Sequence, residues 1–153
     1  MKGEFTVNIV ISIVLILVLS VSAYFVYLAT TAEAPNVVLV DGKLRPCIDK
    51  PNCVSSETTG EKYIEPITGD KPLAELWQDA QTAAVAQGGI VESSQPNHLW
   101  VTYQTKLFKF VDDLELRLDE EAGVIQVRSG SRSGHSDMGV NRKRIEAIRA
   151  AIK

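Results

Sequence analysis

The segment from Arg128 to Ile145, RSGSRSGHSDMGVNRKRI, decides how the rest of the chain has to be arranged. It contains four serines, four arginines and three glycines, together with one aspartate, one asparagine and one histidine. It follows a strand-like segment, Gly123–Val127, and leads into a helix-like one. Such a segment crosses from the edge of a sheet to a helix start and gathers polar side chains there. We call Arg128–Ile145 the polar tract, and we expect a ligand to bind there if it binds anywhere.

A short helix is expected to follow Asp137, whose carboxylate can cap the first turn. Ile145, Ile148 and Ile152 recur at helical spacing, and Asn141 continues the same line towards the amino terminus. An unpaired amide is costly to bury, so Asn141 is predicted to form hydrogen bonds with the polar tract.

Upstream of the tract, apolar and polar residues alternate with period two, which is typical of half-buried strands. Short turns between these segments favour antiparallel pairing, and Gly123 suits a left-handed hairpin position. The strand candidates are Ile90–Ser93, Leu99–Gln104, Phe108–Val111, Leu114–Leu118 and Val124–Arg128.

A longer helix is predicted over Pro72–Gln87, because Pro72 suits a first turn and Gly88-Gly89 ends the pattern. Its apolar stripe, which includes Leu76 and Trp77, would pack on one face of the sheet. The predicted fold is therefore α+β, an antiparallel sheet packed by about two helices behind an amino-terminal transmembrane helix.

The amino-terminal region has no charged residue between Glu4 and Glu33. As a helix, Val7–Ala29 would be about 35 Å long, enough for a hydrocarbon core of about 30 Å. We predict an uncleaved anchor; a cleaved signal peptide is the alternative, because 32–34 reads Ala-Glu-Ala. The domains expected are an anchor at 1–32, a spacer at 33–43 and an α+β domain at 44–153.

Flanking charges weakly favour an amino terminus in the cytoplasm, with Lys2 on that side of the helix and Glu33 on the other. The chain would then be a single-pass membrane protein, anchored in lipid by its helix, with its domain on the periplasmic or lumenal side. Residues 128–153 carry a balance of +5 and residues 1–127 a balance of −8. An outward-facing basic end argues against nucleic acid as a partner and is most simply neutralised by the domain's own acids.

Cys47 and Cys53 are the only two cysteines of the chain. In an oxidising compartment they predict a local disulfide that pins a proline-containing loop. A redox-active pair would have C-x-x-C spacing, which is absent. A zinc site that adds His98 and His135 is arithmetically possible, but neither histidine has a neighbour at ligand spacing. We therefore predict neither a metal nor a cofactor.

Two regions of the sequence resemble the bacterial and plastid family called domain of unknown function 1499. The first region reads P-C-x4-N-C-V-S-S from Pro46 to Ser56, and the second is the polar tract, read as RS-x-SR-x-G-x-SD-x-G-x-NR-x-RIE. An aromatic-x-D-D element at Phe110, Asp112 and Asp113 also fits. The resemblance extends from about Leu44 to the end and implies an exported or membrane-tethered domain, without an activity.

The composition of the tract is compatible with three kinds of role. A binding or interaction module would recognise a small anion or a partner protein through the tract's arginines, hydroxyls and helix start. A purely structural network would instead pair Arg128 and Arg132 with Asp112 and Asp113. The binding candidates are Arg128, Ser129, Ser131, Arg132, Ser136, Asp137, Asn141 and Arg142.

An enzyme is the alternative, and whether the chain catalyses anything is left open. A hydrolase could use Ser136 with His135, and a metal-dependent enzyme could use Asp112, Asp113 and Asp137. Adjacent residues of a strand point to opposite faces, so Asp112 and Asp113 are poorly placed to share a metal. G-x-S-x-G, the P-loop, the dinucleotide fingerprint and H-E-x-x-H are all absent from the sequence.

Overall fold

A computed structural model describes residues 2–152, with side chains from Phe5 onward. The first element is a long helix, α1, at Lys2–Thr30. Its portion Phe5–Thr30 has 26 residues, and an 18-residue stretch of it has a mean hydropathy of 2.8, so the helix is long and apolar enough to cross a membrane. A signal sequence meets the same criterion. The predicted apolar helix is thus confirmed.

The remaining elements form one antiparallel sheet with two helices, which confirms the predicted α+β fold. Five strands lie in the order β1-β5-β4-β3-β2. They are β1 at Cys53–Ser55, β2 at Ile90–Gln95, β3 at His98–Gln104, β4 at Val111–Asp119 and β5 at Val124–Ser131. The helices are α2 at Leu73–Ala86 and α3 at Val140–Ala151, and a 3₁₀ turn lies at Gly60–Lys62.

One face of the sheet is apolar and covered by both helices. On β4, Leu116 lies opposite Leu99 of β3 and Val127 of β5, so the three side chains share this face. They join the buried stripe of α2 and the isoleucines of α3 in a single core. The alternation read from the sequence is therefore core packing, and Trp77 is part of it.

The other face, which we call the charged face, carries mostly ionic side chains at the alternate positions. These are Asp113, Glu115 and Arg117 of β4 and Arg128 of β5, together with the neutral Trp100 of β3. The segment that follows α1 approaches this face, since Arg45 donates hydrogen bonds to Glu115. A disulfide joins Cys47 to Cys53 beside β1, as predicted.

Neither edge of the sheet presents a long regular strand. At one edge, β1 has only 3 residues, and its first residue, Cys53, forms the disulfide. At the other, β2 is largely exposed, and its pairing with β3 shifts between Val91 and Ser93, which marks a β-bulge.

Some element bounds differ from those expected. Phe108 and Phe110 alternate like strand residues but lie in the β3–β4 loop, because Lys109 adopts a left-handed φ of 63°. Conversely, β5 continues through Ser131, so the first residues of the polar tract are strand. The last helix begins at Val140, three residues after Asp137.

Candidate functional site

The polar tract is organised around the side chain of Asn141, which is 0% exposed. Its Oδ1 accepts hydrogen bonds from Ser129 Oγ and Arg144 Nη1, both at 2.6 Å. Its Nδ2 donates to Asp137 Oδ2 at 2.8 Å, Ser131 Oγ at 3.1 Å and the Asn52 carbonyl at 3.1 Å. A buried amide is thus satisfied from β5, α3 and the disulfide loop, as its inward position requires.

Asp137 stabilises the start of α3, as the sequence indicated. Its Oδ1 accepts a hydrogen bond from the Gly139 N–H at 3.0 Å, and its Oδ2 accepts one from the Asn141 N–H at 2.8 Å. The carboxylate therefore already supplies the negative charge that a helix amino terminus favours.

Three of the four arginines of the tract, all but Arg142, are paired with acids of the sheet. Arg132 contacts Asp113 at 2.8 Å, as expected, and the indole N–H of Trp100 donates to the same carboxylate at 2.8 Å. Asp112 pairs with Arg144 at 2.7 Å. These contacts lock β4 to the tract and to α3.

The expected pairing of Arg128 with Asp112 or Asp113 is wrong. Arg128 contacts Glu115 at 3.0 Å, because the strand register places these two residues directly opposite each other. Asp112 lies opposite Ser131 instead and accepts a hydrogen bond from its hydroxyl.

Glu115 lies at the centre of a buried ion cluster and is 0% exposed. Its Oε1 accepts hydrogen bonds from Arg45 at 2.6 Å and Arg128 at 3.0 Å. His98 Nε2 lies 3.8 Å from Glu115 Oε2, an ion-pair distance that is too long for a hydrogen bond. Burial alone would raise the pKa of Glu115, but His98, Arg45 and Arg128 lower it below its ordinary value. Burial lowers the pKa of Arg128.

A small cavity of about 140 Å³ lies beside these arginines. It is lined by Arg45, Arg128 and Arg132, and also by Glu33 and Asp113. Each of the three guanidiniums is already paired with Glu115 or Asp113, and Glu33 adds a third carboxylate to the lining, so the three positive charges are balanced from within the protein. This arrangement suits a structural network better than a site for an anion.

A larger cavity of about 420 Å³ lies where α1 meets the domain, and we call it the membrane-side cavity because α1 has the length and hydropathy of a membrane span. The ring of Phe25 on α1 lies 5.0 Å from the ring of Phe108 and 6.1 Å from that of Phe110, between centroids. The tract forms the opposite wall. The lining residues from the tract are Ser131, Ser133, Gly134, His135, Ser136, Asp137, Met138 and Val140.

The structure divides the candidate residues between several places. Ser129, Ser131, Asp137 and Asn141 meet in one hydrogen-bond network, whereas Arg128 and Arg132 belong to the charged face. Ser136 lines the membrane-side cavity. Arg142 donates to the carbonyls of Glu61 and Tyr63.

Residues outside the tract complete the site, and sequence reasoning missed them. Glu115 sits at a polar position between two leucines, which gives no hint that it is fully buried. Arg45 is 70 residues away from it in sequence. Phe25 reads as one more apolar residue of the anchor, and only the packing of α1 on the domain shows that it lines a cavity.

Of the enzyme candidates, Asp112, His135, Ser136 and Asp137 all line the membrane-side cavity, whereas Asp113 lies on the charged face. Asp112 faces the helices and Asp113 faces the charged side, as expected for neighbours on a strand. Ser136 Oγ accepts a hydrogen bond from the Met138 N–H at 3.2 Å. Within residues 2–152, no group of three or more His, Cys, Asp or Glu side chains could hold a metal ion.

Comparison with known proteins gives one family match. The model of the family described as "Protein of unknown function (DUF1499)" matches residues 43–152, which confirms the resemblance seen in the sequence. No curated protein and no solved structure matches the chain. The match covers the whole sheet, α2 and α3, and it leaves α1 outside.

Proposed function

Because the chain belongs to the DUF1499 family, whose description assigns no activity, we propose a function from its geometry. The protein is a membrane-tethered, non-catalytic binding module, and its ligand occupies the membrane-side cavity. The polar tract has two parts in this proposal. Its inner residues lock the fold, and its outer residues, from Ser133 to Val140, form a wall of the binding site.

The observation that carries the proposal is that the anchor and the tract line the same cavity. Phe25 and Leu28 of α1 face the tract across about 420 Å³ of space. This volume lies within the roughly 300–1,000 Å³ of small-molecule sites. The wall is aromatic and aliphatic on the side of α1 and the β3–β4 loop, and hydroxyl-rich on the side of the tract.

The same geometry argues against an anion held by the tract's arginines. Arg132 lies against Asp113, and Arg128 against Glu115, with their side chains 13% and 7% exposed. A ligand anion would have to displace these carboxylates from nearly buried positions. We therefore assign Arg128 and Arg132 to the structural network.

We also propose that the domain lies on the extracytoplasmic side as part of a single-pass membrane protein. The disulfide supports this placement, since such bonds persist in oxidising compartments. The contacts of Phe25 with the domain support retention of α1 as an anchor, because its removal would open the cavity. Two free thiols in the chain extracted from membranes without reductant would contradict the placement.

Native mass spectrometry of the gently extracted full-length chain tests the binding function. We expect one non-covalent adduct per chain, which Val140→Trp should remove by filling the cavity. Val85→Trp is the matched control, because Val85 is 45% exposed on α2 and Val140 is 43% exposed on α3. Arg132→Ala should retain the adduct.

Two results would contradict the proposal. The first is a wild-type chain that carries no adduct. The second is an adduct lost in Arg132→Ala but retained in Val140→Trp, which would move the site to the arginines.

A further inference from the structure

We propose that the occupant of the membrane-side cavity is a membrane lipid that enters from the leaflet next to the domain. Its acyl chain lies against Phe25, Phe108 and Phe110, and its ester or headgroup oxygens meet the serines of the polar tract. The inference rests on the binding function proposed above and names the class of ligand.

The length of α1 determines where the cavity lies relative to the bilayer. The apolar portion Phe5–Thr30 has 26 residues. It is therefore about 39 Å long, some 9 Å more than a hydrocarbon core of about 30 Å. When the core starts at Phe5, the residues from Tyr24 onward lie at the opposite interface. Tyr24 and Tyr27 are 58% and 61% exposed there, which matches the aromatic belt of membrane helices.

The two loops around the cavity present apolar side chains at that same level. Leu107 is 78% exposed next to Phe108, and Met138 is 88% exposed in the tract. Phe25 holds the first of these loops directly against α1. Large apolar side chains in this position are stabilised by the headgroup and acyl boundary, where their burial from water is favourable. The mouth of the cavity therefore opens towards lipid.

The charges of the lining indicate which lipid fits. Asp112 and Asp137 line the cavity, whereas none of its lining residues is a lysine or an arginine. Asp112 is already paired with Arg144, but Asp137 has no ion-pair partner within residues 2–152, so an anionic headgroup would meet an uncompensated carboxylate. A zwitterionic or uncharged lipid is therefore favoured. Ser133 Oγ is buried in the wall and has no hydrogen-bond partner within residues 2–152. It is a donor that an ester or hydroxyl oxygen of a lipid could satisfy.

Photocrosslinking of the full-length chain in lipid nanodiscs tests the inference. The probe is a phosphatidylcholine with a diazirine on its acyl chain, diluted into unlabelled phosphatidylcholine. Mass spectrometry should find label on α1, on Thr105–Phe110 and on Ser133–Val140. Val140→Trp should reduce labelling of these two loops at least fivefold and leave labelling of α1 unchanged, whereas Val85→Trp should change neither. Replacing half of the unlabelled phosphatidylcholine by phosphatidylglycerol should not lower the yield of adducts, because the anionic lipid should compete poorly with the probe.

Label confined to α1, or equal loop labelling in Val140→Trp and the wild type, would overturn the lipid assignment. If the adduct in the native spectra is then a water-soluble molecule, the binding function stands and only the lipid class fails. If there is neither loop labelling nor an adduct, both fail. Weaker labelling in the presence of phosphatidylglycerol would show that the anionic lipid displaces the probe, and it would contradict the predicted preference for lipids without net charge. Leu107→Asp provides a second variant, which should lower labelling of the Thr105–Phe110 loop because a charge disfavours its insertion.

Discussion

The two faces of the sheet are both buried around the middle of β4, but by opposite means. Leu116 and Glu115 are neighbours on β4, and each is 0% exposed. Leu116 meets other apolar side chains under the helices, whereas Glu115 meets Arg45, Arg128 and His98. The apolar face can be filled by many apolar side chains of suitable size and shape. The charged face requires particular ion partners, so it fixes the β4–β5 register and the path of the chain after α1.

The largest effect is expected at Glu115. Glu115→Leu should lower the free energy of unfolding by about 3–5 kcal/mol, because it leaves buried guanidiniums without a counter-charge. Adding Arg128→Met should restore part of this loss, which no apolar pair on the other face would do. Chemical denaturation of both variants, with Leu116→Ala as the control from the apolar face, measures the difference. If the free energy of unfolding does not recover in the double variant, the charged face does not depend on specific ion partners, and the contrast between the two faces fails.

A smaller loss of folding stability is expected when Arg132, at the edge of the charged face, is replaced. Arg132→Ala should cost about 1.5–3 kcal/mol, since it removes charge-assisted hydrogen bonds to the nearly buried Asp113. Arg142→Ala is the matched control in the same tract, because Arg142 donates only to exposed backbone carbonyls. Thermal melting should separate the two variants, and equal melting temperatures would place Arg132 outside the structural network.

The disulfide should contribute about 2 kcal/mol by closing a short loop. Cys53 is 3% exposed and faces Gly130, where an added Cβ would lie 3.0 Å from Cys53 Sγ. Replacing both cysteines by serine should therefore lower stability without altering the sheet. Denaturation with and without reductant provides the measurement. A wild-type chain that reductant does not destabilise would show that the loop needs no covalent link.

The smallest effect is the contribution of Glu115 to acid sensitivity. Its pKa is lower in the folded chain than its ordinary value of 4.5. Its ionisation therefore stabilises the fold above pH 4.5, and that stabilisation is lost as pH falls through the folded pKa. Denaturation midpoints between neutral pH and pH 3 should fall less steeply in Glu115→Gln than in the wild type. Parallel curves would indicate that Glu115 is not an ion in the folded chain.

These differences explain which parts of the molecule the sequence could predict. The apolar helix, α2, the strands around Leu99 and Leu116 and the isoleucines of α3 have strong periodicity, and they lie where expected. The ion partners could not be predicted in the same way, because pairing Arg128 with Glu115 depends on the β4–β5 register.

The sequence could predict the kinds of interaction in the candidate site, but it could not predict the position of the cavity. The network around Asn141 followed from an amide on an inward helical line, since burial demands partners for it. The membrane-side cavity was missed because Phe108 and Phe110 alternate like strand residues, although they turn towards Phe25. Phe25 and Phe108 are 83 residues apart in sequence, and a contact over that separation produces no periodic pattern from which it could be predicted.

If α1 anchors the chain in a bilayer, as proposed above, the short and irregular edges of the sheet acquire a further meaning. Copies that diffuse in two dimensions meet more often than free molecules do, and a long flat edge strand would allow two copies to pair edge to edge. The bulge between Val91 and Ser93 twists one margin away from such a template, and the other margin offers only three residues beside a covalent loop. The short β1 and the bulged β2 therefore disfavour sheet pairing between neighbouring copies in a membrane.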